Sequence, residues 1–172
     1  MSRPRPLSQR PWDILYALFI LIHIPSTVII DSQAILPAWL FPQFALDLMS
    51  FYLETFKDPG MTPPLPVWMS SFVTAELLFQ LPFFLWGIRA LWRDDTRFLP
   101  FSVAYGAHTA TTVWVVFWSL AHHYLYPTPG SLSHSQIVSL LLLHAPFFLI
   151  PVSMVIRGLI LLTRSSDKVK SE

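Results

Sequence analysis

Long runs without a charged residue organise this chain. The first covers residues 14–30, which contain no Asp, Glu, Lys or Arg. These 17 residues are at the short end of the roughly 20 that a span needs. With Pro11 and Trp12 as an interfacial start, they predict a membrane-spanning helix over 11–31. A cleavable signal peptide is the alternative, because small residues at 32–34 resemble a cleavage site. The apolar run is longer than a usual signal core, which favours the span.

The connection after this span has an amphipathic pattern. Apolar residues recur at helical spacing over 39–57, which predicts a short helix that lies at the lumenal membrane face or caps a pocket. Residues 67–91 are again apolar, and Glu76 is their one charged residue before Arg89. They predict a second span with a carboxyl group well inside it.

The longest uncharged run, residues 98–156, exceeds what one membrane helix needs. Turn-forming residues at 122–135 divide it, so we predict a third span over 99–121 and a fourth over 136–160. Backbone polar groups in lipid must be satisfied within the segment, which a helix achieves. The predicted fold is therefore an all-α membrane protein with a four-transmembrane-helix bundle.

Composition and charge support this fold and orient it. Hydrophobic residues make up 53% of the 172 residues and charged residues 12%, about half of the charged share of a soluble domain. Every Lys or Arg except Lys57 lies near the start of span one, around the turn between spans two and three, or at the end of span four. The positive-inside rule then places both termini in the cytosol. We predict one membrane domain over 1–165 and a cytosolic tail over 166–172.

Prolines lie inside three of the four predicted spans. Pro25, Pro82, Pro146 and Pro151 each remove a helical hydrogen bond and are expected to kink their helix. Kinked helices favour a bundle that opens around an intramembrane pocket. The alternative is that proline is simply more frequent in membrane helices.

Glu76 is the most informative polar residue, because a charge at membrane depth costs about 2.5–3.5 kcal/mol. Gln80 follows one turn later on the same face. We interpret this face as a ligand or proton site, and a protonated glutamate that ties helices together is the alternative. Asp31 ends span one, two turns after His23. Counting residues along each span places Glu76 deeper in the membrane than Asp31. If kinks in the helices brought the two acids together, they would share a proton and attract a cationic amine.

No cofactor or metal is expected. The chain has no cysteine, and the loop histidines His122, His123 and His134 lack helical spacing and an accompanying carboxylate. No basic run with interleaved aromatic residues indicates a nucleic-acid partner. The C-terminal sequence KVKSE places Lys168 and Lys170 in the pattern of the dilysine retrieval signal of endoplasmic reticulum membrane proteins. Such a signal is an address and not an anchor.

Five segments are similar in sequence to those of a known protein family. They are HIPSTVIIDSQAILP (23–37), ETFKDP (54–59), ELLFQLPFF (76–84), YGAHTATT (105–112) and HAPFFLIP (144–151). In these segments the chain resembles the sigma-2 receptor family of EXPERA-domain proteins, whose wider superfamily includes the emopamil-binding sterol isomerases. The resemblance implies a four-helix protein of the endoplasmic reticulum with an intramembrane pocket for sterols and cationic amphiphiles. It also implies a homodimer and a role in sterol trafficking.

The resemblance further implies a set of site residues. Asp31 matches the acid that pairs with a ligand amine, and Glu76 matches its neighbouring acid. Asp58 matches a further acid that acts by structure more than by contact. Phe51 stands where a Trp is usual, and Phe147 where a Tyr is expected. The remaining pocket-lining positions match His23, Tyr52, Gln80, Tyr105 and Thr112.

Three functions follow from these residues. A non-catalytic sterol or lipid binding protein ranks first, because the resemblance is closer to the receptor branch. A sterol Δ8–Δ7 isomerase needs an acid that protonates an alkene and a base that removes a proton elsewhere, and Asp31, Glu76 and His23 are residues of those types. The third is an interaction protein that holds client membrane proteins, with an incidental pocket.

Overall fold

The computed structural model describes residues 5–128 and 130–170, with residues 165–170 described by their backbone alone. In that part of the chain all regular secondary structure is helical. The α-helices are α1 (Pro11–Ile29), α2 (Gln43–Phe56), α3 (Val67–Ala75), α4 (Leu81–Trp92), α5 (Phe98–Leu125) and α6 (His134–Lys170). A π-helical turn, Glu76–Gln80, joins α3 to α4, and 3₁₀ turns occupy Leu7–Gln9, Asp31–Ala34 and Ala38–Leu40.

Prolines mark where three of the helices begin. Pro11 is the first residue of α1, and Pro42 and Pro66 immediately precede α2 and α3. Proline suits these positions because its φ is preset and a helix start does not use its missing N–H. Lys57 ends α2 with a φ of 51°, the left-handed conformation common after the last helical turn. A helix is thus present where the pattern over 39–57 predicted one, although it begins at residue 43.

Pro82 lies just after an irregular turn. The backbone N–H of Leu81 donates to the carbonyl of Glu76, five residues earlier. This bond closes a π turn, which inserts one extra residue into the helix. The other three prolines of the predicted spans lie inside α1 and α6, which continue through them.

Within the described residues, three helical segments are long and apolar enough to cross a membrane: Pro11–Ala34, Val67–Trp92 and His134–Arg164. The predicted third span corresponds to α5, which has 28 residues and is therefore about 42 Å long. It contains no Asp, Glu, Lys or Arg, but its Ser, Thr and His residues leave it less apolar than the other three. The crossing by α5, and with it the four-span bundle, stays a prediction.

The helices α5 and α6 pack closely along each other. Gly106 lies against the backbone carbonyl of Pro151, and Gly158 lies against Val103. The partner number falls as the residue number rises, so the two helices are antiparallel. The helix α1 packs mainly on α4.

The apolar core has two parts. The first includes Tyr16 and Phe84, and the ring of Phe147 packs against it. The second includes Leu120 and Leu140. Many other large apolar side chains are exposed along the membrane-length helices, which is the arrangement of a protein whose outer surface contacts lipid.

Candidate ligand-binding cavity

A cavity of about 290 Å³ lies between the two apolar clusters. Its volume is at the lower end of the range for small-molecule sites. Most of its wall is apolar, with contributions from α1, α3, α5 and α6. Its polar wall residues are His23, Ser26, Asp31, Tyr52, Asp58, Glu76, Gln80, Thr109, Thr112 and His144.

The wall of the cavity reaches the protein surface on α1 and α6. Ile22 of α1 and Leu143 of α6 both line the cavity, and both are also exposed, by 65% and 37%. These two helices belong to the segments that are long enough to span a membrane. An opening at these residues would therefore lie in the apolar zone of the protein surface.

Two side chains of α1 contact the carboxylate of Glu76. Thr27 is fully buried and donates its hydroxyl to Oε1. His23 Nε2 lies 3.3 Å from the same oxygen, and the hydroxyl of Tyr105 lies 3.3 Å from His23 Nδ1. The four residues form a connected polar row that joins α1, α5 and the π turn.

Asp31 is placed beside this row by the same stretch of α1. Ser26, which precedes Thr27, donates its hydroxyl to Oδ2 of Asp31 at 3.4 Å. No hydrogen bond among the described residues uses Asp31 Oδ1 or Glu76 Oε2, so each acid has one oxygen that is unoccupied within that part of the chain. Counting residues along each predicted span placed the two acids at different depths, because such a count ignores how far one helix is shifted along another.

Asp58 lines the same cavity, but both of its carboxylate oxygens are occupied. Tyr52 donates its hydroxyl to Oδ2 at 2.6 Å, and the backbone N–H of Gly60 donates to Oδ1 at 2.8 Å. Burial, and then the charge of Asp58, raise the pKa of the Tyr52 phenol above its ordinary range, so the phenol stays a donor. Asp58 is 2% exposed, and its bonds are those of a residue that ties α2 to the following loop.

The amide of Gln80 and the threonines of α5 form a smaller group on the wall. Thr109 donates its hydroxyl to Oε1 of Gln80 at 3.1 Å, and both side chains are buried. Thr112 also lines the cavity, but its hydroxyl bonds the carbonyl of Thr109 at 2.9 Å. This local backbone bond is the usual arrangement of threonine in membrane helices.

Aromatic rings surround the imidazole of His23. The ring centroids of Phe84 and Phe147 each lie 4.7 Å from it, and that of Phe19 lies 5.2 Å away. Phe147 is part of the cavity wall. The imidazole is thus fixed in orientation by packing as well as by its two polar neighbours.

The structure does not bring every predicted residue to the wall. Tyr105 is not part of the wall, and its hydroxyl lies against His23, which is. Phe51 is 62% exposed and is absent from the wall. It lies in α2 one residue before Tyr52, and successive helical side chains point about 100° apart. The retrieval lysines, Lys168 and Lys170, lie outside the residues whose side chains the structure describes.

Sequence reasoning missed Thr27 and Thr109, which donate to Glu76 and Gln80. A signal for both was present. Thr27 lies four residues after His23, so it shares a helix face with a predicted site residue. Thr109 likewise lies four residues after Tyr105, the predicted site residue of α5.

Comparison with known proteins identifies the class. Residues 44–158 match the family model described as EXPERA (EXPanded EBP superfamily), and the chain belongs to this family of membrane proteins. It is 35% identical over 144 residues to sigma intracellular receptor 2 of Xenopus tropicalis, covering 80% of this chain and 82% of that protein. It is 33% identical over 159 residues to the Homo sapiens protein of the same name, covering 88% and 89%. The family resemblance predicted from the sequence is confirmed.

A fungal relative has a different name. The efficient mitochondria targeting-associated protein 19 of Schizosaccharomyces pombe is 30% identical over 120 residues, which cover 67% of this chain and 63% of that protein.

Proposed function

We propose that this chain is a non-catalytic membrane protein that binds sterols and cationic amphiphiles in the cavity. The observation that supports this most directly is the placement of Asp31 and Glu76. They come from different elements and line one largely apolar cavity, and each has one carboxylate oxygen that accepts no hydrogen bond from the described residues. A ligand ammonium group would meet the acids, and its hydrophobic body would contact the apolar walls.

A sterol suits the same arrangement. Its single hydroxyl would reach the polar row at Glu76, while its rings would contact the apolar walls. An opening between Ile22 and Leu143, which line the cavity and are exposed, would admit such a ligand directly from the bilayer. A role in sterol or lipid homeostasis or trafficking is part of this proposal.

The membrane setting is also proposed. We infer four crossings, with both termini in the cytosol and residence in the endoplasmic reticulum. The antiparallel packing of α5 on α6 supports a crossing by α5, because α6 belongs to a segment of membrane length and α5 lies beside it. A cytosolic tail would expose the retrieval lysines. A homodimer belongs to the same proposal and rests on the family resemblance alone.

The binding proposal is tested with a tritiated arylpropyl tertiary amine and its uncharged alcohol analogue on the purified protein. Removing one charged partner of a hydrogen-bonded ion pair costs about 1.5–3 kcal/mol. We therefore expect Asp31→Asn to weaken amine binding about tenfold to hundredfold and Glu76→Gln to weaken it as well. Binding of the alcohol should change little, since it has no charge to pair.

Glu54→Gln is the matched control, since Glu54 is an exposed acid of α2 outside the cavity. It should leave amine affinity unchanged. An equal loss in all three variants, or no loss in Asp31→Asn, would contradict an acid pair in the cavity. Mass spectrometry of the lipid retained after mild purification would identify the natural ligand and test the sterol part separately.

A sterol Δ8–Δ7 isomerase is the second candidate, favoured by the contact between His23 and Glu76. The imidazole is linked on its other side to Tyr105, so a proton relay reaches the cavity wall. The test is expression in cells that lack the isomerase, with the Δ8-to-Δ7 sterol shift as the readout. Restored conversion would show that the chain catalyses the isomerisation, and the isomerase would then replace the non-catalytic binding protein as the first candidate.

An interaction factor for other membrane proteins is the third candidate, and the name of the fungal relative is in keeping with it. The double variant Asp31→Asn/Glu76→Gln separates the two readings. If binding is the function, loss of amine binding and loss of the cellular phenotype should occur together. A phenotype that survives in the double variant would favour the interaction factor.

A further inference from the structure

A second cavity, of about 920 Å³, lies at the opposite end of the helices from Asp31. The beginnings of α1 and α5 and the ends of α4 and α6 meet there. Three segments of membrane length begin or end at the same place: Pro11–Ala34, Val67–Trp92 and His134–Arg164. This region, called the arginine end below, therefore lies at the boundary between the apolar zone and water.

The wall of this cavity is positively charged. Five arginines and three aspartates line it, which gives a net charge of 5 − 3 = +2. The arginines are Arg5, Arg10, Arg97, Arg157 and Arg164, and the aspartates are Asp13, Asp94 and Asp95. The aspartates form ion pairs with four of these arginines. The guanidinium N–H groups that these pairs do not use determine what else the cavity would bind.

Arg10 is buried, at 5% exposure, and has donors to spare. Its Nη1 bonds Asp13 and the carbonyl of Leu91, each at 2.8 Å, and its Nε bonds the carbonyl of Arg5 at 3.2 Å. Its Nη2 has no hydrogen-bond partner among the described residues. A buried donor without an acceptor is destabilising, and more so when it is charged, so an anionic acceptor would be stabilised beside it.

Two arginines of α6 add further donors for an anionic acceptor. Arg157 approaches Asp13 only at 3.6 Å, a distance that leaves its guanidinium able to turn to another acceptor. Arg164 is exposed and makes no ion pair among the side chains that the structure describes. Both lie on the rim of the same cavity.

Most of the remaining wall residues are apolar. They include Phe98, Leu99 and Leu162. A cavity with guanidinium groups at the water boundary and apolar side chains next to them matches a ligand that has a phosphate at one end and acyl chains at the other. Basic pockets between membrane helices bind anionic lipid headgroups in this way.

We propose that the arginine end binds the phosphate headgroup of an anionic membrane lipid. The phosphate would lie near Arg10, Arg157 and Arg164, and the acyl chains would run along Leu99 and Leu162 into the bilayer. A soluble phosphate compound shares the headgroup chemistry but makes no use of the apolar wall. The site is separate from the cavity at Glu76, and its occupation does not depend on what that cavity binds.

Native mass spectrometry of the detergent-purified full chain tests the proposal. The protein is titrated with dioleoyl phosphatidate, dioleoyl phosphatidylcholine and glycerol 3-phosphate. We expect phosphatidate to bind more tightly than the other two. Each arginine near a membrane surface contributes about 1 kcal/mol to anionic lipid binding, or about fivefold in affinity. Arg164→Gln should therefore weaken phosphatidate binding about fivefold, and Arg157→Gln/Arg164→Gln about 25-fold, with phosphatidylcholine unaffected.

Arg89→Gln is the matched control. Arg89 is an exposed arginine in the last turn of α4, at the same end of the molecule but outside the cavity. It should retain full phosphatidate affinity. An equal loss in Arg89→Gln would show that diffuse surface charge, and not the cavity, attracts the lipid. Equal binding of phosphatidate and phosphatidylcholine, or of phosphatidate and glycerol 3-phosphate, would also overturn the proposal.

Discussion

At the residue scale, the acids around the central cavity differ in how many of their oxygens the protein itself occupies. Asp58 uses both, on Tyr52 and on the backbone of Gly60. Glu76 receives two contacts on one oxygen, and Asp31 receives one contact on one oxygen. We therefore expect changes at Asp58 to affect folding, and changes at the other two acids to affect ligand binding first.

Thr27→Val tests the bond that fixes Glu76. Valine keeps the shape of threonine but removes the buried hydroxyl that donates to the carboxylate. We expect the free energy of unfolding to fall by about 1 kcal/mol, the usual contribution of such a bond in a membrane protein. Thermal unfolding in detergent would measure it. The control is Thr111→Val, at an exposed residue whose hydroxyl bonds its own helix at Ala107, and it should be neutral.

We expect the buried phenol of Tyr52 to make the free energy of unfolding fall at high pH. Its pKa in the folded protein lies above the ordinary value, first because of burial and then because of Asp58. Above pH of about 10 the unfolded chain loses this proton while the folded protein keeps it. Unfolding then releases a proton, so the free energy of unfolding falls as pH rises, by up to about 1.4 kcal/mol per unit.

Melting temperatures between pH 8 and 11 would show the effect as a difference between variants. Tyr52→Phe should be less stable than the parent protein at pH 8, because it lacks the bond to Asp58. It should also lose less stability on going to pH 11. Tyr124→Phe, at an exposed tyrosine, should keep the parent's pH profile, and an unchanged slope in Tyr52→Phe would contradict the assignment.

At the element scale, the helices depend on a few close contacts and one irregular turn. The π turn Glu76–Gln80 brings two polar side chains onto the cavity wall in one span, in keeping with the frequent use of such turns at functional sites. The pair α5 and α6 depends instead on small residues, since Gly106 allows the two backbones to approach. Small residues serve this purpose generally in membrane helices.

Gly106→Ala tests the contact between α5 and α6. A Cβ at this position would lie 2.5 Å from the carbonyl oxygen of Pro151, and backbone atoms cannot turn away as a side chain would. We expect a destabilisation of about 1–3 kcal/mol, the usual cost of overpacking, seen as a lower melting temperature. At Gly87 the nearest atoms are 3.4 Å away, so Gly87→Ala should be neutral or slightly stabilising. Equal effects at both glycines would contradict the close approach.

At the scale of the whole molecule, the polar chemistry is concentrated at two places. The cavity with Asp31 and Glu76 lies between the apolar clusters, and the arginine end lies where the helix ends meet. Arg10 connects α1 with α4 through the carbonyl of Leu91, and Asp94 approaches it at 3.5 Å. This ion-pair network fixes the helix ends at the expected cytosolic boundary.

Glycosylation mapping tests the number of crossings. With four crossings, Asn-X-Ser/Thr cassettes placed in the connection over 31–66 and in the loop over 127–133 should both be glycosylated. Cassettes in the turn over 93–97 and after residue 172 should not. If α5 did not cross, the loop over 127–133 would stay unmodified and the C-terminal cassette would be glycosylated. Mobility shifts reversed by a glycosidase would distinguish the two patterns.

The sequence alone determined the membrane class, the all-helical architecture and the candidate acids. These follow from local properties, because uncharged runs of membrane length, turn-forming residues and a carboxyl group inside a span are all visible along the chain. The helix over 39–57 was also predictable, since its periodicity is local.

Only the tertiary structure decided how the predicted residues meet. It placed Asp31 and Glu76 on the wall of one cavity, left Phe51 exposed, inserted a π turn before Pro82 and gave Asp58 two internal partners. It also assembled the arginine cavity from four helix ends. Each of these depends on how far one helix is shifted and rotated against another, and those quantities are set by packing between residues distant in the chain, which a local pattern does not record.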